Sequence, residues 1–462
     1  MKKYLLSISL FAAALTQAFA AQPIFSLKDN DTWVMAGDSI TAQRLHTNYI
    51  EAFFRTRYPQ LHLHFRNSGI GGNRTGSILA RFDYDVAAWK PTIVSIELGM
   101  NDVGVQNPES KDCAAPYIGG MKKLADQPRA LSALPIFNSS SPVNDGSMMG
   151  AWASVRCRTI DPFTEALKEM GHKENIQVVD QYHPLIAIWG PNKTLDDANS
   201  LAERIRLLKP ENNVPDLKTL QAFAKSWEGK PGGVPLGGDT VHPGPAGQYM
   251  MAATILAALN VDREVSSATV KPDGTVAEAK GCKITDATSK DGKLTFTRLD
   301  EVSPWPLLPA AISAAALMPE ITALSRYMLT VPGLPAGKYC VQMDGKPVAT
   351  LTNKELAKGW NMSALQEGPI AERAAKICAL IDELQNPLNN AWRAASKDKD
   401  QGKLEAAPSA SGEPSRLPCG RVGRRLQAVD RGVDSCHQHG HDPVAPWKSH
   451  QPMEPCRLRH GV

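Results

Sequence analysis

A serine, an asparagine and an aspartate–histidine pair lie far apart in this chain, each within a short block of chemically distinctive residues. Gly37-Asp38-Ser39-Ile40 carries the serine, Gly99-Met100-Asn101-Asp102 the asparagine, and Asp239-Thr240-Val241-His242-Pro243 the acid and the imidazole. A fourth block, Asn67-Ser68-Gly69-Ile70-Gly71-Gly72, is all small or polar apart from Ile70. A serine hydroxyl is a weak nucleophile until a base takes its proton. His242 is suited to that task, with Asp239, three residues earlier in one tight loop, holding the imidazole's tautomer. Acyl transfer also needs fixed donors for the oxygen that becomes negative, and the Ser39 amide, a glycine amide of the second block and the Asn101 side chain can supply three.

These residues work together only if the fold places them side by side. Trp33 to Ala36 is a short apolar run that reads as a buried strand, and a helical pattern follows from Thr41 through Leu45, Tyr49, Ile50, Phe53 and Phe54. Ser39 therefore falls on a strand-to-helix turn, with its amide expected at a positive helix N-terminus. Leu61 to Phe65 reads as a second strand, Ser77 to Lys90 as a helix ended by Pro91, and Thr92 to Leu98 as a β-branched third strand. Leu134 to Phe137 and Ile176 to Asp180 read as further strands around a helix at Ile160 to Met170, and a helix from Pro245 to Asn260 closes the unit. Strands alternating with helices predict a parallel sheet covered on both faces. The carboxyl ends of such strands share one edge, where ligands bind. The Ser39, glycine and Asn101 blocks each follow a predicted strand directly.

In their order and content the four blocks resemble the SGNH, or GDSL, hydrolase family. The resemblance spans roughly residues 30 to 262. It implies a flavodoxin-like three-layer α/β fold, Ser39 as nucleophile with Asp239 and His242 completing a triad, and Ser39, Gly72 and Asn101 as the oxyanion hole. Gly69, Gly71 and Gly72 compete for the second-block role. Gly72 is favoured because it stands five residues past Asn67, as in the family pattern. Asp38 is read as structural. No metal or organic cofactor is expected.

Composition sets the frame around this unit. The net charge is only +4 over 462 residues, which argues against nucleic acid as the main partner. Lys2 and Lys3, the apolar run Tyr4 to Leu15 and Ala18-Phe19-Ala20 read as a signal peptide over residues 1–20. The run is too short for a bilayer span, which takes about 20 residues, so an exported protein without stable membrane insertion is expected. The expected order is then a hydrolase unit at 27–262, a small β-rich module with a C-terminal helix (Ile370 to Leu384) at 263–395, and a tail at 396–462. The tail lacks Ile, Phe and Tyr entirely; unable to bury a core, it is expected to be disordered. Five of the eight cysteines precede it, with no Cys-x-x-Cys and no spacing that settles their pairing.

Other conspicuous residues have plain readings beside functional ones. His62 and His64 would share one face of the second strand, a metal pair in principle and packing residues by default. His437-Gln-His439-Gly-His441 looks metal-like but lies in the tail, and Trp152, Trp189 and Trp227 are core residues before they are sugar platforms. Arg74 is either a solvated loop residue or a contact for an acidic substrate group. The expectation is an exported serine esterase acting on a small-molecule or polysaccharide ester, with O-acetyl groups on carbohydrate foremost. A lysophospholipase or thioesterase with the same triad, or a glycan-binding protein on a hydrolase scaffold, are the alternatives.

Overall fold

The computed structural model describes residues 24–104, 110, 112–143, 155–189 and 241–398, together with the backbone of 422–430. The signal segment, Asp239, most of the 183–238 excursion, Trp152, Trp227 and the histidines after 436 lie outside the described residues.

Five strands form the first sheet: β1 (Thr32–Gly37), β2 (His64–Gly69), β3 (Ile93–Glu97), β4 (Leu134–Asn138) and β5 (Gln177–Val179). All neighbours are parallel, in the order β2-β1-β3-β4-β5. Helices α1 (Ser39–Ala42), α2 (Leu45–Arg57), α3 (Thr75–Asp85), α4 (Ala115–Ala130), α5 (Val155–Glu174), α6 (Tyr182–Trp189) and α7 (Pro245–Ala258) connect and flank the strands. This is the flavodoxin-like order expected. Its direction of winding reverses between β1 and β3, which opens a crevice at their carboxyl ends. Because helices cover both faces, β1 and β3 are buried along nearly their whole length. Trp33 on β1 packs edge-on against Phe25 and Phe54 and donates its indole N–H to Ser95 on β3 at 2.9 Å.

Two local expectations are corrected. The second strand begins at His64 and runs to Gly69, later than Leu61 to Phe65. Its last turns are polar but satisfied: Arg66 lies over the Trp89 ring, the Asn67 amide donates to Thr41 O at 2.7 Å, and Ser68 bonds the Asp85 carbonyl. An apolar pattern therefore stops short of the strand. His62 precedes β2 and pairs with Asp29 at 2.9 Å, so it shares no strand face with His64. Similarly, the helix after Ser39 is broken. Arg44 adopts a left-handed conformation (φ 64°) between α1 and α2, so Ser39 starts a four-residue helix that has little macrodipole to offer.

Beyond α7 the chain builds two more sheets. The first contains β6 (Glu264–Val270), β7 (Val276–Lys280), β10 (Arg326–Thr330) and β13 (Trp360–Asn361), in the order β13-β10-β6-β7. The second contains β8 (Cys282–Lys290), β9 (Lys293–Asp300), β11 (Lys338–Met343), β12 (Lys346–Thr352) and β14 (Val422–Asp430), in the order β12-β11-β14-β9-β8. β14 comes from the stretch expected to be structureless. It pairs antiparallel with both β9 and β11; two open strand edges supply the backbone partners that its own sequence cannot. The helix expected at Ile370 to Leu384 is much longer, α8 (Gly368–Asp398), and returns to the first unit. There Gln385 donates to Glu51 at 2.8 Å and Trp392 to Asp85 at 3.1 Å. No disulfide links Cys113, Cys157, Cys282, Cys340 or Cys378.

A buried ion pair holds the two sheets together. Arg298, fully buried, donates to Asp300 at 2.9 Å, to Ser266 at 2.8 Å and to Met328 O at 2.9 Å. Tyr327 donates to the second Asp300 oxygen at 2.6 Å. Removing one partner strands the other charge in the interior, at a cost of about 3–5 kcal/mol. Asp300→Ala is therefore expected to lower the denaturation midpoint steeply. Arg298→Met/Asp300→Leu, which leaves no lone charge, should recover most of the loss.

Candidate active site

The site forms at the crevice between β1 and β3. β1 ends at Gly37, directly opposite Gly69 of β2 and Glu97 of β3. α1 then folds down over these strand ends. A Cβ at Gly69 would lie 2.3 Å from the Ala42 nitrogen, so only glycine allows the turn bearing Ser39 to pack this low. Gly69 is buried and donates its amide to Asn67 Oδ1 at 3.0 Å, which removes it from the competition for an oxyanion role. Gly71 and Gly72 stay on the exposed loop. Gly72 has φ +75°, with open space where a side chain would stand. Gly71 is closer to the nucleophile block, its ideal Cβ position 3.8 Å from Ser39 Cβ.

His242 arrives on the loop before α7 and places Nε2 2.8 Å from Ser39 Oγ. The two residues are 203 positions apart, and both are partly buried. Asn101 sits on the turn after β3. Its Nδ2 donates to Asp38 Oδ2 and to Asn73 O, each at 3.1 Å. Both hydrogens of that amide are thus engaged, one on a fixed carboxylate and the other on a loop carbonyl. Asp239 lies outside the described residues.

Two residues with no assigned role hold this arrangement. Asp102 accepts from the Thr75 amide at 3.1 Å and its hydroxyl at 3.0 Å, tying the β3 turn to the loop that carries Gly72. Arg156 on α5 donates through Nε and Nη2 to the Met100 carbonyl at 3.1 and 2.6 Å, beside Asn101. Asp102 was visible as the last residue of its block; Arg156 has no motif around it. Arg74 is exposed and, with Thr75, Asp102 and Tyr117, lines a cleft beginning next to Asn101.

Asp38 does more than shape a turn. Its Oδ1 caps α1 by accepting from the Ile40 amide at 2.9 Å, while Oδ2 anchors Asn101. Burial pushes its carboxyl up to about 6; the Ile40 N–H and the nearby His242 and Arg156 act against this, and Asp102 adds to it. Being raised above its unfolded value of 3.8, it holds its proton more tightly when folded. Its ionisation therefore costs stability, from nothing below about pH 4 to a full value of roughly 3 kcal/mol above pH 6. Asp38→Asn should flatten the fall in thermal midpoint that this carboxylate imposes between about pH 4 and 6. An asparagine cannot accept from both Ile40 and Asn101 with a charged group, so turnover at pH 8 should drop at least about tenfold.

Residues 35–199 match the GDSL-like lipase/acylhydrolase family. An acetylxylan esterase from Geobacillus stearothermophilus is 25% identical over 214 residues, which cover 45% of this chain and 77% of that protein. The solved structure of a gut microbial diltiazem-metabolizing enzyme superposes with a TM-score of 0.65 at 18% identity, over 88% of this chain and 99% of that one. The shared fold thus extends well past the first sheet. With Ser39, Asn101 and His242 gathered at one sheet edge, the chain carries over residues 35–199 a domain that matches the GDSL-like lipase/acylhydrolase family, and it is a carboxylic ester hydrolase.

Proposed function

We propose that this enzyme is exported and removes O-acetyl groups from carbohydrate through an acetyl-enzyme on Ser39. The observation that carries the mechanism is the 2.8 Å contact between Ser39 Oγ and His242 Nε2, the distance at which an imidazole can take a hydroxyl proton. His242 accepts that proton as Oγ bonds to the acetyl carbonyl carbon, and the carbonyl oxygen becomes an oxyanion. The amides of Ser39 and Gly72 and the side chain of Asn101 receive the charge. Asn101 does so by exchanging its Asn73 contact for the oxyanion while Asp38 keeps hold of its other hydrogen. The imidazolium next protonates the departing sugar oxygen, which leaves as an alcohol. Water, deprotonated by the same imidazole, then attacks acetyl-Ser39 and releases acetate. Asp239 keeps Nδ1 protonated throughout. No step draws on a metal or organic cofactor.

One comparison supports the acetyl and carbohydrate reading. The curated relative is named an acetylxylan esterase, and 77% of its length is matched. Export rests on the N-terminal pattern; among the described residues no helix is long and apolar enough to cross a membrane. The test is a nitrophenyl ester series together with acetate release from acetylated xylooligosaccharides. Turnover should be highest for acetyl and fall steeply by butyryl. A preference for octanoyl or longer chains would instead make the enzyme a lipid esterase, and a thioester preference a thioesterase. Failure of a fluorophosphonate to label Ser39 in the folded protein would point to a glycan-binding scaffold without catalysis.

A further inference from the structure

Gln248 is fully buried in α7, and it is the one polar side chain in the stretch from Ala246 to Ala253 apart from the Tyr249 hydroxyl. A buried carboxamide is costly unless its donors and acceptors are met, and here all four bonding positions are used. Its Nε2 donates to the carbonyl of Pro243 at 3.1 Å and to Gln43 Oε1. Its Oε1 accepts from the His46 amide at 3.1 Å and lies 3.0 Å from His46 Nδ1. Pro243 directly follows His242. Gln43 is the C-cap of α1, the helix that begins at Ser39. One amide group thus joins the segment carrying the hydroxyl to the segment carrying the imidazole.

We propose that Gln248 is a positioning residue that sets the register between Ser39 and His242. The proposal rests on the reading of those two residues as nucleophile and base. Both segments need such a tie. α1 is only four residues long and is followed by a left-handed Arg44, and only Pro243 and Gly244 separate His242 from the start of α7 at Pro245.

His46 fixes the orientation of the carboxamide. Because Gln248 Oε1 can only accept, His46 Nδ1 must carry the hydrogen, and its Nε2 faces Glu97 Oε2 at 3.5 Å with a lone pair. Burial pushes Glu97 well above the usual carboxylate range and His46 down to about 4. The donors run in one direction, from His46 through Gln248 to the carbonyl beside His242. Reversing the amide would set two donors against each other at His46, so the carboxamide has a single stable orientation.

Gln248→Met keeps the volume and removes every hydrogen bond. For an acetyl ester, kcat is expected to fall about 10- to 100-fold, the scale of a small misplacement of reacting groups, with KM within about twofold of wild type. Fluorophosphonate labelling of Ser39 should slow in parallel, since it depends on the same base. Gln43→Ala, at an exposed position, removes one of the two anchors without disturbing the core and should lower kcat about threefold or more. If Gln248→Met does not fold, Gln43→Ala decides the matter. Wild-type kcat in folded Gln248→Met, or in Gln43→Ala where the former is lost, overturns the proposal. A fall in KM affinity with kcat retained also overturns it, since that pattern marks a binding role. Ser39→Ala measured alongside separates the two levels: an active Ser39→Ala ends the catalytic reading itself, whereas an inactive one beside unaffected Gln248 and Gln43 variants sinks only the register role.

Discussion

Ser39→Ala is expected to lower kcat for an acetyl ester by about 10⁵- to 10⁶-fold, with KM nearly unchanged and the fold intact. The size of the effect follows from how the groups depend on one another. Without the hydroxyl, His242 has no proton to take and the oxyanion donors face a carbonyl that only water can attack. What remains is binding plus the oxyanion site, about 10³–10⁴ over the uncatalysed rate. Alanine needs no new space at this half-buried turn, so the thermal midpoint should stay within a degree or two of wild type. Circular dichroism checks the fold, and acetate release measured by mass spectrometry checks the chemistry. Near-full turnover by a folded Ser39→Ala would end the proposed mechanism.

The parts of this structure legible in the sequence are those where residue type and backbone conformation have one solution. Gly37, where β1 must end against α1, and the β-branched or apolar residues of β1 and β3 marked those two strands and hence the crevice between them. What escaped is where side chains, not the backbone pattern, make the element. β2 continues through Arg66, Asn67 and Ser68 because each finds a tertiary partner, and no local periodicity records that. The break at Arg44 is hidden because an arginine, not a glycine, takes the left-handed conformation. β14 depends on edges supplied by β9 and β11, more than a hundred and about eighty residues away. At the site itself, serine, asparagine and histidine were legible as chemistry. Asp38's double duty, Arg156 and Gln248 were not, because each acts on a carbonyl or amide that carries no signature. The nearest to a signal was a lone glutamine among the apolar residues of α7.

Asp239→Asn is the second large effect, expected to lower kcat by up to about 10⁴-fold while leaving KM and folding near wild type. The reasoning starts from the one imidazole contact whose direction matters. With Nε2 2.8 Å from Ser39 Oγ, the imidazole can act as a base only if that nitrogen holds a lone pair, so the hydrogen must sit on Nδ1. A carboxylate, which can only accept, enforces that tautomer and steadies the imidazolium as it forms. An asparagine of the same shape can instead present its NH₂ to Nδ1, which moves the ring hydrogen to Nε2 and aims it at the nucleophile. Asp38 is an acid whose charge interacts with His242, and it is the natural rival for this role. Its two oxygens already serve the Ile40 amide and Asn101, so its loss should loosen the oxyanion side of the site and leave the tautomer in place. The two variants therefore separate by size: about 10⁴ for Asp239→Asn and about tenfold for Asp38→Asn at pH 8. The reverse ranking would transfer the orienting role to Asp38 and leave Asp239 as a loop residue.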